Sequence, residues 1–463
     1  MSAAALAADD APAQDAPSSS FARPTIQAHQ YTLAECLALA DRNFPNLWAS
    51  RARLAFAHAQ LEEAHWTPFF QWGANALFGA LPPLQGSVLY PSGAVGPTTI
   101  YSKNITAFGN LQPAGHFDIG GTFPLYTFGK IESAWEAAGA NVRVSEWDME
   151  KARQQLRMDV RRAYYGLQLA HDGKWVFDES IERLDKAIKG ITDRIAKVDP
   201  NVSEVDRLRL VAYRQEVYSQ SLQVPKGEAY AMATLRFFTG VESNFEVVDE
   251  PLRRPDRPLA SIAQYLEAAR VLRPDVNMAR AGVVARRAQV DLARARLFPD
   301  LGLVLGASFT SSPSATPQNN LFANDPFNGF GYTVGLGMHW NLDLLPQAAR
   351  TQQAEAQLEE TRAYQRLALS NAEYEVEKAY ADAVEAKGRE ESWDKSEHVA
   401  KQWLAIYQDH IDLGTWDERG LLEPLRVYGG ARANHLYALM DYEVALANLA
   451  LVSGWDEAAP GGN

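Results

Sequence analysis

Two stretches of this chain, from Phe128 to Lys197 and from Gln347 to about Leu413, each run for some 70 residues without a proline. In the first, apolar residues recur at spacings of three and four (Val142, Trp147, Met149, Leu156, Val160, Tyr164, Leu167), the period of a helix with one buried face. About 70 helical residues rising 1.5 Å each make a rod of roughly 100 Å, against a mean helix of about a dozen residues. Ala, Glu, Gln and Arg dominate both stretches, as in coiled coils, and the small Ala positions let neighbouring helices approach closely. Each rod must reverse at a short turn, Val198-Asp-Pro-Asn-Val-Ser203 in one and Leu413-Gly-Thr-Trp-Asp417 in the other. Pro200 and Gly414 are ordinary helix stops there. The expectation is two antiparallel helical hairpins per chain.

The rods belong to a longer duplication. Gly121-Thr-Phe-Pro-Leu-Tyr-Thr-Phe-Gly-Lys130 aligns with Gly337-Met-His-Trp-Asn-Leu-Asp-Leu-Leu-Pro346, and at the same offset of 216 Val160-Arg-Arg-Ala-Tyr164 aligns with Val376-Glu-Lys-Ala-Tyr380. Leu235-Arg-Phe-Phe-Thr-Gly240 matches Leu449-Ala-Leu-Val-Ser-Gly454, and Pro45-Asn46 precedes Ala59-Gln60 as Pro274-Asp275 precedes Ala288-Gln289. Each half reads as helix, strand, long polar loop, strand, very long helix, tight turn and returning helix. The expected organisation is a disordered N-terminal segment 1–30, a first repeat 31–240, a linker 241–260, a second repeat 261–454 and a tail 455–463. Residues 1–8 read as the end of a secretory signal, with an Ala-x-Ala pattern at Ala5-Leu6-Ala7.

Composition removes several function classes. A net charge of −13, with Lys and Arg interleaved among acids, excludes nucleic acid as a partner. The single cysteine, Cys36, forms no intrachain disulfide and sits in an apolar helical pattern that predicts burial. No catalytic, metal or cofactor motif is present: there is no His-Glu-x-x-His, no phosphate-binding glycine loop, no Gly-x-Ser-x-Gly and no cysteine pair. No stretch resembles a transmembrane helix, because charged residues or Gln interrupt the Ala-rich runs every three or four positions. Membrane entry would therefore require a barrel.

Four segments at the far ends of the helices read as strands, at about 67–79, 115–126, 299–309 and 331–342. In Leu301–Phe309 and Tyr332–Trp340, Gly, Ser or His on one face opposes Leu, Val, Met or aromatics on the other, with the length and period of a tilted membrane strand. Aromatics gather at the segment ends, and Trp66, Phe69, Phe70, Trp72, Phe123, Tyr126 and Trp340 are candidates for a membrane headgroup belt. Long loops rich in Gly, Pro, Ser and Asn (about 80–115 and 310–330) separate the strands of each pair. Four strands cannot close a barrel, and an open edge in lipid leaves backbone groups unpaired. Copies must assemble, and three give twelve strands, although two or four would also close.

The strand followed by Pro-Leu-Tyr-Thr-Phe-Gly-Lys130, an Ala-rich helix and Val-Arg-Arg-Ala-Tyr164-Tyr, repeated in the second half, resembles the TolC-like outer-membrane efflux proteins over about residues 30–455. Arg273-Pro-Asp275, Ala-Arg-Leu-Phe-Pro299 before a strand, and the tip Leu-Gly414-Thr with Leu421-Leu-Glu423 fit the same pattern. The resemblance implies a membrane α+β fold: a trimeric 12-stranded β-barrel, four strands per chain, continued by a long α-helical coiled-coil barrel. It implies a passive exit duct in the Gram-negative outer membrane with a long periplasmic portion, no catalysis and no cofactor. Its partners would be two further copies of itself, outer-membrane lipid, a periplasmic adaptor (membrane fusion) protein and an inner-membrane pump. The exported cargo would be small molecules, metal ions or proteins.

The tips then carry the candidate functional residues. Asp206 and Glu423, with Glu204 and Arg419, are expected at a periplasmic gate, where three copies would make rings of charge. Asp417 and Glu418 belong to the same constriction. Ser203-x-x-Asp206 equally reads as a capping box, so Asp206 has a purely structural alternative. Arg419 is expected to pair with an acid on a neighbouring helix. Asp199, Pro200, Asn201, Gly414, Thr415 and Trp416 are the expected adaptor contacts. The competing reading of the whole chain is a soluble coiled-coil scaffold or tether of the cell envelope, in which the four strands form ordinary hairpins.

Overall fold

The computed structural model describes residues 29–69, 71–81, 111–200, 202–241, 245–255, 258–313, 315, 325 and 327–456. Each half opens on a short helix that starts at a capping box. Thr32 and Glu35 exchange backbone hydrogen bonds before α1 (Leu33–Asn43), and Ser261 with Gln264 stands before α6 (Ile262–Leu272). A proline then sets the first turn of the next helix, Pro45 in α2 (Pro45–Trp66) and Pro274 in α7 (Pro274–Ala295). Strands β2 (Trp72–Leu81) and β3 (Gln112–Tyr126) follow in the first half, β5 (Asp300–Ser311) and β6 (Gly329–His339) in the second. The two-residue strands β1 (Gln30–Tyr31) and β4 (Glu246–Val247) pair in parallel across the link between halves. Residues 1–28 and the inner part of the first long loop, 82–110, lie outside the described residues.

The two rods are present at the expected length: α3 (Lys130–Ala196) has 67 residues and α8 (Leu344–Asp412) has 69. Ala372, Ala379, Ala383, Ala386 and Ala400 of α8 are buried, which lets the returning helix α9 (Leu422–Ser453) lie close against it. The returning leg of the first half is broken into α4 (Glu204–Ser221) and α5 (Gln223–Thr239). Pro225 supplies the reason, since its ring crowds the carbonyl of Ser221 and it has no N–H to donate. In α9 the one proline, Pro424, sits in the first turn, and the helix runs unbroken. Both returning legs end on a left-handed glycine, Gly240 at φ +68° and Gly454 at φ +69°.

One expectation is corrected. Residues 418–453 contain an 18-residue window apolar enough to pass for a membrane span by composition, whereas the sequence reading found none. Leu425, Tyr428, Leu436, Leu439, Tyr442 and Leu449 are nevertheless buried within this chain, where α9 packs along α8 and α3. The apolar content therefore belongs to a helix whose apolar residues largely meet other helices.

Near the sheet, α3 packs on α2 and α7, and α7 on α8. Toward the turns, α3 lies between α4 and α9, with α8 beyond. One core gathers Cys36, Leu37, Leu156, Val160, Tyr164, Leu167, Leu235 and Phe245 around α1, α3 and α5. A second, nearer the turns, joins Leu184, Ile191, Leu210, Leu404, Leu421, Leu425 and Tyr428. The four long strands form one antiparallel sheet in the order β2-β3-β5-β6.

Candidate functional site

Cross-strand partners in an antiparallel sheet share a face, so the register sorts every side chain. One face carries Trp72, Ala74, Ala76 and Phe78; then Phe117, Ile119 and Phe123; then Leu301, Leu303, Leu305, Ala307 and Phe309; then Phe330, Tyr332, Val334, Leu336 and Met338. The chain leaves this face uncovered: Phe78 is 84% exposed, Leu336 83% and Tyr332 78%. The other face carries Asn75, His116, Asp118, Thr122, Ser308, Thr310, Thr333 and nine glycines, with Leu77, Leu81 and Val304 among its larger apolar members. Asn75 Nδ2 donates to Asp118 Oδ2 at 2.9 Å, and His116 Nδ1 lies 2.7 Å from Thr310 Oγ1. Glycine is required by close packing at Gly302, where a Cβ would stand 2.6 Å from Thr122 Cγ2 and 3.0 Å from the Phe123 carbonyl. The register of β3 on β5 shifts at a bulge between Pro124 and Tyr126.

Among the expected belt aromatics, Trp66, Trp72, Phe123, Tyr126 and Trp340 are exposed at the helix end of the sheet. Trp340 Nε1 donates to the Leu297 carbonyl at 3.1 Å. Phe69 lies against Phe123 at 5.4 Å between ring centres, and Phe70 is outside the described residues. Sequence reasoning missed a second row at the loop end, where Phe117, Phe309 and Phe330 stand side by side in register with Phe78 one step away. The available signal was one aromatic near the loop end of each strand.

At the opposite end of the rods the two turns meet. Arg194, in the last turn of α3, reaches Asp199 of its own turn (2.9 Å) and, across the interface, Asp417 (2.8 Å) and Glu418 (2.7 Å). These carboxylates push the guanidinium pKa up, Asp417 foremost. The Arg194 hydrogen bond, with a further one from Arg419, holds the Asp417 carboxyl below its ordinary range. Arg419 pairs with Asp417 at 2.6 Å inside its own turn. The 3-10 turn Glu418–Leu421 brings these two side chains together, and the charge of Arg419 also acts on Asp206 of the neighbouring helix α4. The cross-tip contact falls to Arg194, which sequence reasoning did not select. Its cross-tip partners, Asp417 and Glu418, lie more than 200 residues away, and only its place beside an acidic turn hinted at a role.

Asp206 caps α4. Its carboxylate accepts from Ser203 N (3.1 Å) and Ser203 Oγ (2.6 Å), and these bonds lower its pKa. It also lines the cleft between the tips with Arg209, Gly414, Thr415, Trp416 and Arg419. Glu204 is engaged by Arg207 one turn on. Glu423 is exposed in the first turn of α9. Pro200, Gly414 and Thr415 are exposed, while Asn201 is outside the described residues. Trp416, 44% exposed, stacks on His410 (4.1 Å between ring centres) and lies tilted against Tyr407 (4.9 Å).

Residues 265–454 match the family model described as outer membrane efflux protein. The second half of the chain thus carries an outer membrane efflux protein domain. Cation efflux system protein CusC of Escherichia coli K12 is 21% identical over 65% of this chain, a match that spans 63% of the length of CusC. Protein CyaE of Bordetella pertussis is 28% identical over 70% of this chain and 68% of its own. The solved outer-membrane channel OprN shares the fold, with a TM-score of 0.70 and 19% identity over 91% of this chain and 89% of the OprN chain. A further relative at 22% identity over 65% of this chain and 61% of its own length is the probable outer membrane lipoprotein SilC of Salmonella typhimurium.

Proposed function

We propose that the chain is one subunit of a passive exit duct. Three copies close a 12-stranded barrel in the outer membrane, and their hairpins form a helical tunnel below it. The carrying observation is the two-faced sheet. Its apolar face is left bare by its own chain, and among the described residues β2 and β6 each pair on one side alone. Lipid covers such a face, while a backbone edge in lipid is satisfied by another strand. Eight strands would make a barrel filled by its inward side chains, but the Gly, Ser and Thr of the polar face are too small to fill one. That favours more than two copies. From Leu301 to Phe309 a strand advances roughly 27 Å, or about 21 Å along the membrane normal at a tilt near 40°. The two aromatic rows are thus spaced for two headgroup layers, and a soluble scaffold would have no use for them.

The two halves, 31–240 and 261–454 joined by 241–260, act as equivalent sectors of the duct wall. Asp206, Glu204, Glu423 and Arg419 line the narrow tip end as a charged gate, now joined by Arg194. The turn residues Asp199, Pro200, Asn201, Gly414, Thr415 and Trp416 meet a periplasmic adaptor, which an inner-membrane pump serves. The cargo is a small molecule, a metal ion or a protein. Planar-bilayer recording tests the reading. Purified protein should give discrete single-channel steps, and R194M should raise their conductance. A protein that inserts without any conductance contradicts the duct.

A further inference from the structure

Between α8 and α9, far from both the sheet and the tips, lies a group of buried charges to which the duct reading gives no part. His435 of α9 is 8% exposed, and Glu390 of α8 is 2% exposed. His435 Nδ1 donates to Glu397 Oε2 at 2.5 Å, and Arg432 Nη1 holds the same carboxylate at 2.9 and 3.1 Å. On the other side of the ring, Nε2 faces Glu390 Oε1 at 3.6 Å and Asp394 Oδ1 at 4.0 Å. Neither His435 Nε2 nor Glu390 Oε2 has a hydrogen-bond partner. The link between halves adds Arg254, whose Nε stands 3.6 Å from Glu390 Oε2 and whose guanidinium bonds Glu391. From α3, Asp172 faces Arg432, and Glu179 with Arg183 face Tyr428. Tyr442 of α9 faces Arg254 and Glu390.

We propose that His435 is a proton-operated lock on the second hairpin: charged, it holds α8 to α9 through Glu390 and Glu397, and on losing its proton it lets them loosen. With the proton, Nε2 is a donor aimed at Glu390. Without it, an imidazole lone pair confronts a buried carboxylate at 3.6 Å, and Arg432 and Arg254, with Lys387 and Lys395 acting on Glu391, must balance Glu390, Glu391, Asp394 and Glu397. Burial works against the charge on His435. The Glu397 hydrogen bond and the charges of Glu397, Asp394 and Glu390 outweigh it and raise the imidazole pKa. A raised pKa fixes the sign. The stabilisation is complete below the unfolded histidine value near 6.5 and is lost as pH climbs through the higher folded value.

Because α8 and α9 carry the second tip, and given that the chain is a duct, alkaline conditions should ease its opening. The lock itself is read by thermal melting of the detergent-purified protein between pH 6 and 9. Wild type should lose about 3 °C of Tm across that range, and H435Q should lose that dependence. E390Q, which removes the confronting charge, should shrink the alkaline loss and keeps the test alive should H435Q fold poorly. H398Q, at an exposed histidine of the same hairpin, should leave the wild-type slope intact. A flat wild-type profile, or an unchanged slope in both H435Q and E390Q, overturns the lock. In bilayers the wild-type conductance should rise with pH and that of H435Q should not. Absence of conductance at every pH counts against the duct, while melting still decides the lock.

Discussion

The two hairpin tips have the same topology and are held by different physics. In the first, Ser203 and Asp206 cap the returning helix, and Val198, two residues beyond α3, is forced to φ +58°, a left-handed conformation costly for a β-branched residue. In the second, the corresponding place beyond α8 belongs to Gly414 at φ +72°, which bears that conformation freely. No side-chain cap holds the second returning helix. A ring stack of Trp416 on His410 with Tyr407 tilted against it, a 3-10 turn, and the borrowed Arg194 take its place. The first tip is thus organised locally and under strain, and the second leans on the first. In the gate proposed above, the contact between tips, and not the fold of either turn, is the element whose loss would open it.

Removing Arg194 should have the largest effect. R194M leaves Asp199, Asp417 and Glu418 facing one another and should cost about 2 kcal/mol of local stability, since a half-buried network of three carboxylates exceeds an isolated surface pair. Faster hydrogen exchange across 413–421, with little change at 203–210, would show the asymmetry. Equal loosening of both tips would erase it. Acid should do the same by degrees. The Asp417 carboxyl has a lowered pKa in the fold, so its contribution is present above the unfolded value near 3.9 and lost as pH falls through the folded one. Exchange across 413–421 at successive pH values should therefore accelerate below about pH 4 in wild type and much less in R194M.

The turn backbones give the smaller effects, with opposite signs. G414V puts a β-branched residue where glycine is needed and should destabilise by about 1–2 kcal/mol. V198G relieves the strain but adds freedom to the unfolded chain, leaving a gain of about 0.5 kcal/mol. Urea melts of the two variants check both. A destabilising V198G would mean that the exposed valine makes a contact this chain alone does not explain.

The rods, the four strands and the capping box at Ser203-x-x-Asp206 were legible in the sequence because each rests on local periodicity or on a start signal within a few residues. What escaped it depends on distance. The partners of Arg194 are set by how two hairpins lie together, and the loop-end aromatic row emerges only when four strands are placed in register. The break in the first returning leg was legible at Pro225 and was passed over. The apolar window of α9 misleads in the other direction, because composition alone does not distinguish a helix wrapped by helices from one wrapped by lipid.

The bare sheet face and its open edges are tested most directly by native mass spectrometry of the detergent-extracted protein. An outer-membrane duct built from this subunit should appear as three copies of the 51.2 kDa chain and should precipitate when detergent is withdrawn. A single copy that stays folded and dissolved in plain buffer would contradict it.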